Sequence, residues 1–356
     1  MIKKTSLYNH HLKLGAKIIP FSGFEMPVNY PKGILNEYHS IRNNCGVFDV
    51  SHMGQFFIHG DSAYDFLQKV TINNVSKLND YDAQYSAMCN EQGGIIDDLI
   101  LYKQPKGYFM VVNAGNISKN FEWLNKNITE NVIIENKSSD ISLIAIQGPN
   151  TRNFLSQITD EDLNIKFYSY LKGKVLNQNV MISRTGYTGE LGFELYGRHA
   201  HIISIWEKLI ELGVEPCGLA ARDILRMEMK YCLYGNDIDE TTNPLEAGLS
   251  WITDMNKGYF IGQDSLIQRE NDYKLATFIM TERGIPRKGY DINVNNRKVG
   301  RVTSGTQSFN LNSGIGLGYI ENKYSSFGQN IEIIIRGKNR MKLMSIATFQ
   351  KRSGIT

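Results

Sequence analysis

The chain has 356 residues, of which 42% are hydrophobic and 21% are charged, proportions typical of a folded globular protein rather than a disordered one. Its 39 basic and 36 acidic side chains leave a formal charge of +3 without a block of like charges, which gives no indication of nucleic-acid binding. No apolar stretch approaches the roughly 20 residues of a membrane helix, and the N-terminus lacks the apolar run of a signal peptide. We therefore expect a cytoplasmic protein that binds neither nucleic acid nor membranes.

The first part of the chain alternates between the hydrophobic periods of strands and helices. Strands are predicted at 54–60, 83–89, 98–104, 108–114, 131–136, 142–148, 179–185 and 192–197, and helices at 62–70 and 118–126 and near 150–158, 200–212 and 218–232. The paired glycines Gly93 and Gly94 predict a hairpin turn over 91–94, because glycine takes the positive φ of tight connections. Helices and antiparallel strands are interleaved, which predicts an α+β fold rather than a doubly wound nucleotide fold.

After residue 273 the pattern changes to short strands alone. They are predicted at 275–280, 290–296, 298–305, 314–320, 331–337 and 341–349, separated by Asn, Gly and Ser turns. This spacing is typical of a small β-barrel or sandwich. We expect residues 1–272 to form one α+β region of two lobes, and residues 273–356 to form a C-terminal β-barrel domain.

The four cysteines do not indicate a metal site. Cys45, Cys89, Cys217 and Cys232 lie far apart in the sequence, and none has the two-residue spacing of zinc or redox motifs. We interpret all four as reduced structural thiols and expect no bound metal.

Asp97 and Asp98 are adjacent where a predicted strand begins, so in extended chain their side chains point to opposite faces. Both faces are largely apolar, because Leu99 and Leu101 follow on one and Ile100 and Tyr102 on the other. A carboxylate on such a face needs partners and its pKa is expected to shift, which makes the pair a site candidate. Alternation alone does not choose between them, nor does it exclude an Asp that only satisfies backbone donors near the turn.

The segment 183–196, SRTGYTGELGFELY, places Gly186, Gly189 and Gly192 three residues apart before an alternating strand. Such glycines allow close approach of a flat group or of another chain segment. In the strand, Glu194 shares its face with Gly192 and Tyr196. A carboxylate in this setting suits a heterocycle with adjacent N–H donors, such as a pterin, and the alternative is an exposed residue on an edge strand.

The predicted helix at 218–232 carries Arg222 on the same stripe as Leu225 and Met229. An arginine on an apolar stripe is seldom buried without an anion, and its planar fork matches a carboxylate. The anion is either a ligand or an internal Asp or Glu. Arg226, one turn later, is expected nearer the polar side and is the weaker candidate.

A series of ordered segments extends over most of the chain. They are GAKIIPFSGFEMPVNY at 15–30, RNNCGVFDVSHMG at 42–54, YSAMCNEQGGIIDDLILY at 85–102, IQGPN at 146–150, SRTGYTGELGFE at 183–194, CGLAARD at 217–223 and LYGNDIDETTNP at 233–244. With these segments the sequence resembles the T-protein family of the glycine cleavage system.

The resemblance implies a three-lobed fold around a central folate site. It also implies transfer of an aminomethyl group from the lipoyl arm of H-protein to tetrahydrofolate, the co-substrate, with ammonia and methylenetetrahydrofolate as products. By match to the family motif, Asp98 is the catalytic residue, Glu194 contacts the pterin edge and Arg222 contributes to folate binding. Further positions match residues that line the same cavity: Met53, Tyr85, Asn113 and Tyr187.

Two related functions are alternatives on the same scaffold. One is a folate-dependent demethylase that takes a methyl group from a sulfonium or methylamine donor, which fold alone does not exclude. The other is a noncatalytic folate-binding protein that assists iron–sulfur cluster maturation and carries a cysteine in a KGCYxGQ signature. Here the matching stretch at 257–263 is KGYFIGQ, with Tyr259 in place of the cysteine.

Overall fold

The structure is a computed structural model that describes residues 2–335 and the backbone of residues 338–341. Up to residue 136 its elements are β1 (Lys3–Lys4), α1 (Tyr8–Lys13), β2 (Lys17–Phe21), β3 (Phe24–Asn29), α2 (Ile34–Asn43), β4 (Gly46–Asp49), β5 (Gly54–His59), α3 (Ala63–Val70), β6 (Ala83–Cys89), β7 (Ile95–Gln104), β8 (Gly107–Val112), α4 (Ile117–Lys126) and β9 (Ile133–Asn136).

The next stretch, to residue 272, continues the mixture of helices and strands. Its elements are β10 (Ile141–Gln147), α5 (Thr151–Leu155), β11 (Tyr170–Val175), β12 (Gln178–Ser183), β13 (Gly192–Arg198), α6 (His199–Glu211), β14 (Glu215–Pro216), α7 (Leu219–Glu228) and α8 (Gln263–Gln268). The predicted α+β class is confirmed.

The C-terminal part consists of strands β15 (Tyr273–Ile279), β16 (Asp291–Val294), β17 (Arg297–Ser308), β18 (Ser313–Glu321), β19 (Glu332–Ile335) and β20 (Lys338–Met341). They form one antiparallel sheet in the order β15-β18-β17-β16-β19-β20. Most of the strand predicted at 341–349 lies outside the described residues. Because β15 begins at Tyr273, we propose residue 272 as the boundary between the two regions.

Two sheets in the first region face each other across a shared core. One has the order β11-β12-β13-β10-β4-β14 and the other the order β6-β7-β8-β5-β9. The core between them holds Phe48 and Tyr196 from the first sheet and Tyr102 and Phe109 from the second, together with residues of α2 and α7. We call this the central core. A polar side chain that points into the central core is therefore enclosed between the two sheets.

Helices cover the outer face of each sheet. In α3 the buried residues Ala63, Phe66, Leu67 and Val70 recur at helical spacing, which places one stripe of the helix against its sheet. In α6, residues Ile202, Ile205, Trp206 and Leu209 do the same. No helix of the described residues is long and apolar enough to cross a membrane.

Helix α7 is shorter than predicted, ending at Glu228 rather than at residue 232. The reason is Lys230, which has a φ of 61°, outside the helical region. The amides of Lys230 and Tyr231 donate to the carbonyls of Met227 and Arg226, which satisfies acceptors at the helix end. The chain then turns, and Cys232 packs in a separate core with Ala87 and Met227.

The four cysteines are buried and free, in agreement with their interpretation as structural thiols. In the described part of the chain, no cluster of three or more His, Cys, Asp or Glu side chains is arranged to hold a metal ion.

Candidate functional site

Asp98 lies in β7, between β6 and β8, and its side chain points towards the central core. Ile100 and Tyr102 share its face and pack in that core, whereas Leu99 and Leu101 pack on the opposite side of the sheet. Asp98 is only partly buried, while Asp97 is fully buried. The sheet therefore leaves Asp98, rather than its neighbour, accessible to a ligand.

Two neighbours, one on β6 and one directly after β8, orient the Asp98 carboxylate. The hydroxyl of Tyr85 donates to Oδ2 over 2.9 Å, and the side-chain amide of Asn113 donates to Oδ1 over 2.7 Å. Burial raises the pKa of Asp98, and these two hydrogen bonds oppose the rise. Burial also raises the pKa of the Tyr85 hydroxyl, so that hydroxyl remains protonated and donates. The carboxylate is thus held in one orientation and titrates above its ordinary range.

The carboxylate oxygens of Asp97 accept hydrogen bonds from three asparagines in residues 113–120, between the end of β8 and the first turn of α4. Asn113 donates through its backbone and side chain at 3.1 and 2.9 Å, Asn116 at 2.7 Å and Asn120 at 2.5 Å. Burial, followed by the charge of Asp98, raises the pKa of Asp97 to about 7, and the three asparagine side chains oppose this rise. These contacts give Asp97 a structural role. The asparagine spacing of three and four residues was a sequence signal for this cluster, and it was missed.

Glu194 lies in the interior of its sheet, because β13 pairs with β12 on one side and β10 on the other. It is 9% exposed, so the alternative of an exposed edge residue is wrong. The hydroxyl of Thr185 donates to its Oε2 over 2.5 Å. Burial raises the pKa of Glu194, while the Thr185 hydrogen bond and the Arg222 charge lower it. Thr185 is a second site neighbour that sequence reasoning missed.

Arg222, in α7, places its guanidinium among aromatic rings. The guanidinium carbon lies 4.7 Å from the ring centre of Tyr187 and 5.9 Å from that of Phe48. Its Nη1 is buried and has no hydrogen-bond partner among the described residues. A buried guanidinium nitrogen left without an acceptor is costly. This atom is therefore where an acceptor on a ligand would be bound.

The prediction that Arg226 lies nearer the polar side of α7 is wrong. Arg226 is 1% exposed and donates to Asp237 at 2.6 Å, Asp223 at 2.8 Å and Ser304 at 2.9 Å. The helix is covered by the C-terminal sheet on this side, because Ser304 belongs to β17. With its donors engaged inside the protein, Arg226 connects the two regions and is not available to a ligand.

Tyr187 lies near both Asp98 and Arg222. Its ring stacks on Tyr231 at 5.6 Å, and its hydroxyl donates to the carbonyl of Cys232. Burial raises the pKa of this hydroxyl, and the charges of Arg226 and Asp98 act on it in opposite directions. Asp98, Tyr85 and Asn113 thus form one hydrogen-bonded group, and the Tyr187 ring lies against the guanidinium of Arg222.

Met53 is the seventh predicted site residue. It is partly buried and packs against the central core, next to the residues that share the Asp98 face. Its backbone amide donates to the carbonyl of Val50 over 3.1 Å, which fixes the turn between β4 and β5. The structure therefore places Met53 on the same core surface as Asp98, without a polar role.

The three spaced glycines accommodate other side chains of the protein. A Cβ at Gly186 or Gly192 would overlap the side chain of Gln147, and one at Gly189 would overlap that of Met229. Of the two possibilities left open by the sequence, close approach of another chain segment accounts for these positions. Gln147 is fully buried and accepts a hydrogen bond from Thr188 at 2.8 Å, so it braces the loop that carries Thr185 and Tyr187.

Comparison with known proteins identifies the family. Residues 7–257 match the model of the GCVT N-terminal domain, and residues 274–347 match that of the glycine cleavage T-protein C-terminal barrel domain. An aminomethyltransferase of Halothermothrix orenii is 45% identical over 347 residues, which cover 95% of this chain and 97% of that protein. One from Chloroherpeton thalassium is 46% identical over 347 residues, with 95% and 96% coverage.

A solved structure agrees with these relatives. The crystal structure of glycine cleavage system aminomethyltransferase T from Bartonella henselae is 30% identical in sequence, matches with a TM-score of 0.94 and covers 99% of both chains. These matches confirm the predicted fold class and support the aminomethyltransferase function rather than the demethylase. The chain therefore belongs to the glycine cleavage T-protein family of aminomethyltransferases.

Proposed function

We propose that this protein transfers the aminomethyl group carried by the lipoyl arm of an H-protein to tetrahydrofolate. In the balanced reaction, the carbon–sulfur and carbon–nitrogen bonds of the aminomethyl group break and two carbon–nitrogen bonds to the folate form. The free thiol of the arm, ammonia and methylenetetrahydrofolate are released. The observation that carries the proposal is the accessible Asp98 carboxylate, which Tyr85 and Asn113 orient towards the central core.

The residues on the other side of Tyr187 suit a folate. Glu194 offers a buried carboxylate to the N–H donors of a pterin edge, and the pairing is strong because the acceptor is charged. Arg222 offers the unpartnered Nη1 to a carbonyl or carboxylate oxygen. Phe48 and Tyr187 supply apolar ring surface beside that guanidinium. These contacts bind and orient the folate and leave proton chemistry to Asp98.

Asp98 accepts the hydrogen of the folate nitrogen that attacks the transferred carbon. Tetrahydrofolate supplies the nitrogen atoms that take up the carbon. The ionised Asp98 carboxylate accepts a hydrogen bond, then a proton, from such an N–H, and each of its oxygens is already positioned by one internal donor. General-base assistance of this kind is typically worth ~10² to 10⁴ in rate. We assign Met53, Tyr85, Asn113 and Tyr187 to the surroundings of this transfer.

The test is to supply aminomethylated, lipoylated H-protein with tetrahydrofolate and to measure ammonia and methylenetetrahydrofolate together. Formation of both in equal amounts is the expected result. Parallel reactions receive a sulfonium compound or a methylamine in place of the H-protein. Turnover of either small donor, with no ammonia released from the H-protein, would contradict the proposal and favour the demethylase.

A further inference from the structure

Trp251 is a large aromatic residue that the protein leaves in solvent. It is 69% exposed, whereas the other tryptophans are buried, as Trp206 is, or half-buried, as Trp123 is. Its ring stacks on Tyr85, with centres 5.9 Å apart and planes 30° apart. Tyr85 in turn donates to Asp98 over 2.9 Å. A continuous aromatic surface therefore leads from solvent to the carboxylate that we propose to be catalytic.

The backbone around Trp251 is firmly anchored. Trp251 lies in a 3₁₀ turn at Ser250–Ile252, and the next residue in the turn, Ile252, is 1% exposed. The hydroxyl of Thr253 donates to the carbonyl of Leu249 over 3.0 Å, and the amide of Asp254 donates to Ile72 over 3.0 Å. Because the turn is fixed, exposure of the indole ring is built into the fold and does not follow from a loose loop.

The chemistry of this surface distinguishes between the two proposed reactants. A pterin carries polar edges that need hydrogen-bond partners, and Glu194 and Arg222 provide them. The donor arm is a long aliphatic chain ending in sulfur, which gains by lying against aromatic rings through apolar burial and sulfur–aromatic contact. The Trp251 and Tyr85 rings present such a surface beside Asp98, the point that the arm must reach.

We propose that Trp251, together with Tyr85, forms the wall along which the lipoyl arm of the donor protein reaches Asp98. Trp251 positions the donor and takes no part in proton transfer. This inference rests on the proposed function, since it assigns the path of one of its substrates. Tyr259 offers a matched control: it is 59% exposed, lies in the same region of the chain and makes no aromatic ring contact among the described residues.

The first experiment compares Trp251→Ala, Trp251→Phe and Tyr259→Ala with the unmodified enzyme. For Trp251→Ala we expect about a tenfold rise in KM for aminomethylated H-protein, equivalent to about 1.4 kcal/mol, with kcat and the folate Kd little changed. Trp251→Phe keeps an aromatic wall and should restore most of the affinity, and Tyr259→Ala should resemble the unmodified enzyme. Unchanged KM in Trp251→Ala, or an equal loss in Tyr259→Ala, would overturn the proposal.

A second measurement locates the arm directly. The difference in fluorescence between the unmodified enzyme and Trp251→Phe comes from Trp251 alone. Quenching of this difference signal by acrylamide reports the exposure of the Trp251 ring. Lipoylated H-protein should protect this fluorescence, whereas the same H-protein without its lipoyl group, or tetrahydrofolate alone, should not. Equal protection by either of the last two would overturn the assignment of this wall to the arm. Turnover by the unmodified enzyme reports separately on the proposed function.

Discussion

The side-chain amide of Asn113 donates a hydrogen bond of 2.7 Å to Oδ1 of Asp98. The same nitrogen donates to Oδ1 of Asp97 over 2.9 Å, so one amide spans two carboxylates that strand alternation directs to opposite faces. It reaches both because Asn113 follows the last residue of β8, and that residue, Val112, pairs with Leu99. The structural carboxylate and the proposed catalytic one are therefore positioned by the same side chain.

Replacing Asp98 with Asn should abolish most of the turnover. The amide keeps the size of the side chain but accepts no proton, and we expect kcat to fall by ~10² to 10⁴. The folate Kd, measured by calorimetry, should stay within about threefold, because the contacts that we assign to folate binding come from Glu194 and Arg222. Full turnover by Asp98→Asn would remove this residue from the mechanism.

The pH dependence should follow the raised pKa of Asp98. Burial raises that pKa, and the ionised form is the active one, so kcat/KM should be lost as the pH falls through the raised value. Removing the Tyr85 hydroxyl with Tyr85→Phe deletes a donor that favours the charged form, which should move the acid limb to higher pH. The limb reports the Asp97–Asp98 pair as a unit. An acid limb that stays in place, or moves to lower pH, in Tyr85→Phe would contradict this account.

The surroundings of a site residue could be predicted from sequence where the alternation of its own strand determined them. Alternation placed Asp98 with Ile100 and Tyr102, and Glu194 with Tyr196, and in the structure Ile100, Tyr102 and Tyr196 belong to the central core. Alternation along one strand does not show which side chains the other helices and strands contribute. The amides that surround Asp97 come from residues 113–120, between β8 and the first turn of α4, and the side chain beneath Gly186 and Gly192 is Gln147 of β10.

The interpretation of α7 shows the same limit. The apolar stripe placed Arg222 on a covered face of the helix, but it assigned Arg226 to the polar side. A helical period describes a single covered face, whereas α7 packs against the first region on one side and against β17 of the C-terminal sheet on another. Burial by a second domain is not encoded in the pattern of the helix itself.

Asp97→Asn should destabilise the protein. The substitution puts an NH₂ group among amide donors that all point at this side chain. A buried donor that is left without an acceptor costs about 1 to 3 kcal/mol. Urea unfolding provides the measurement, and the exposed Asp160→Asn provides the control, which should change the free energy of unfolding by less than about 0.5 kcal/mol. Equal stability of the two variants would argue against a structural role for Asp97.

Lys230→Gly should stabilise the protein modestly. Lys230 has a φ of 61°, a left-handed conformation that costs a residue with a Cβ about 1 to 2 kcal/mol, whereas glycine adopts it freely. Burial also lowers the pKa of its ammonium. After subtracting the extra chain entropy of glycine, we expect a gain of about 0.5 to 1 kcal/mol in thermal or urea unfolding. Lys230→Ala keeps the strained backbone, so an equal gain there would show that strain is not the cause.

Arg222→Met and Arg226→Met should differ sharply in their effect on stability, although they are the same substitution one helical turn apart. Arg222 has a buried Nη1 without a partner, so an apolar side chain of similar length should leave the free energy of unfolding unchanged or raise it by up to about 2 kcal/mol. The same change should weaken folate binding about 10- to 100-fold, the worth of one charge-assisted hydrogen bond.

Arg226 holds Asp237 and Ser304 across the two regions, and its replacement should cost about 3 to 5 kcal/mol. Calorimetric folate titrations and urea unfolding of both variants test this contrast. Strong destabilisation by Arg222→Met with unchanged folate affinity would make Arg222 a structural residue and would leave Glu194 alone to bind the folate.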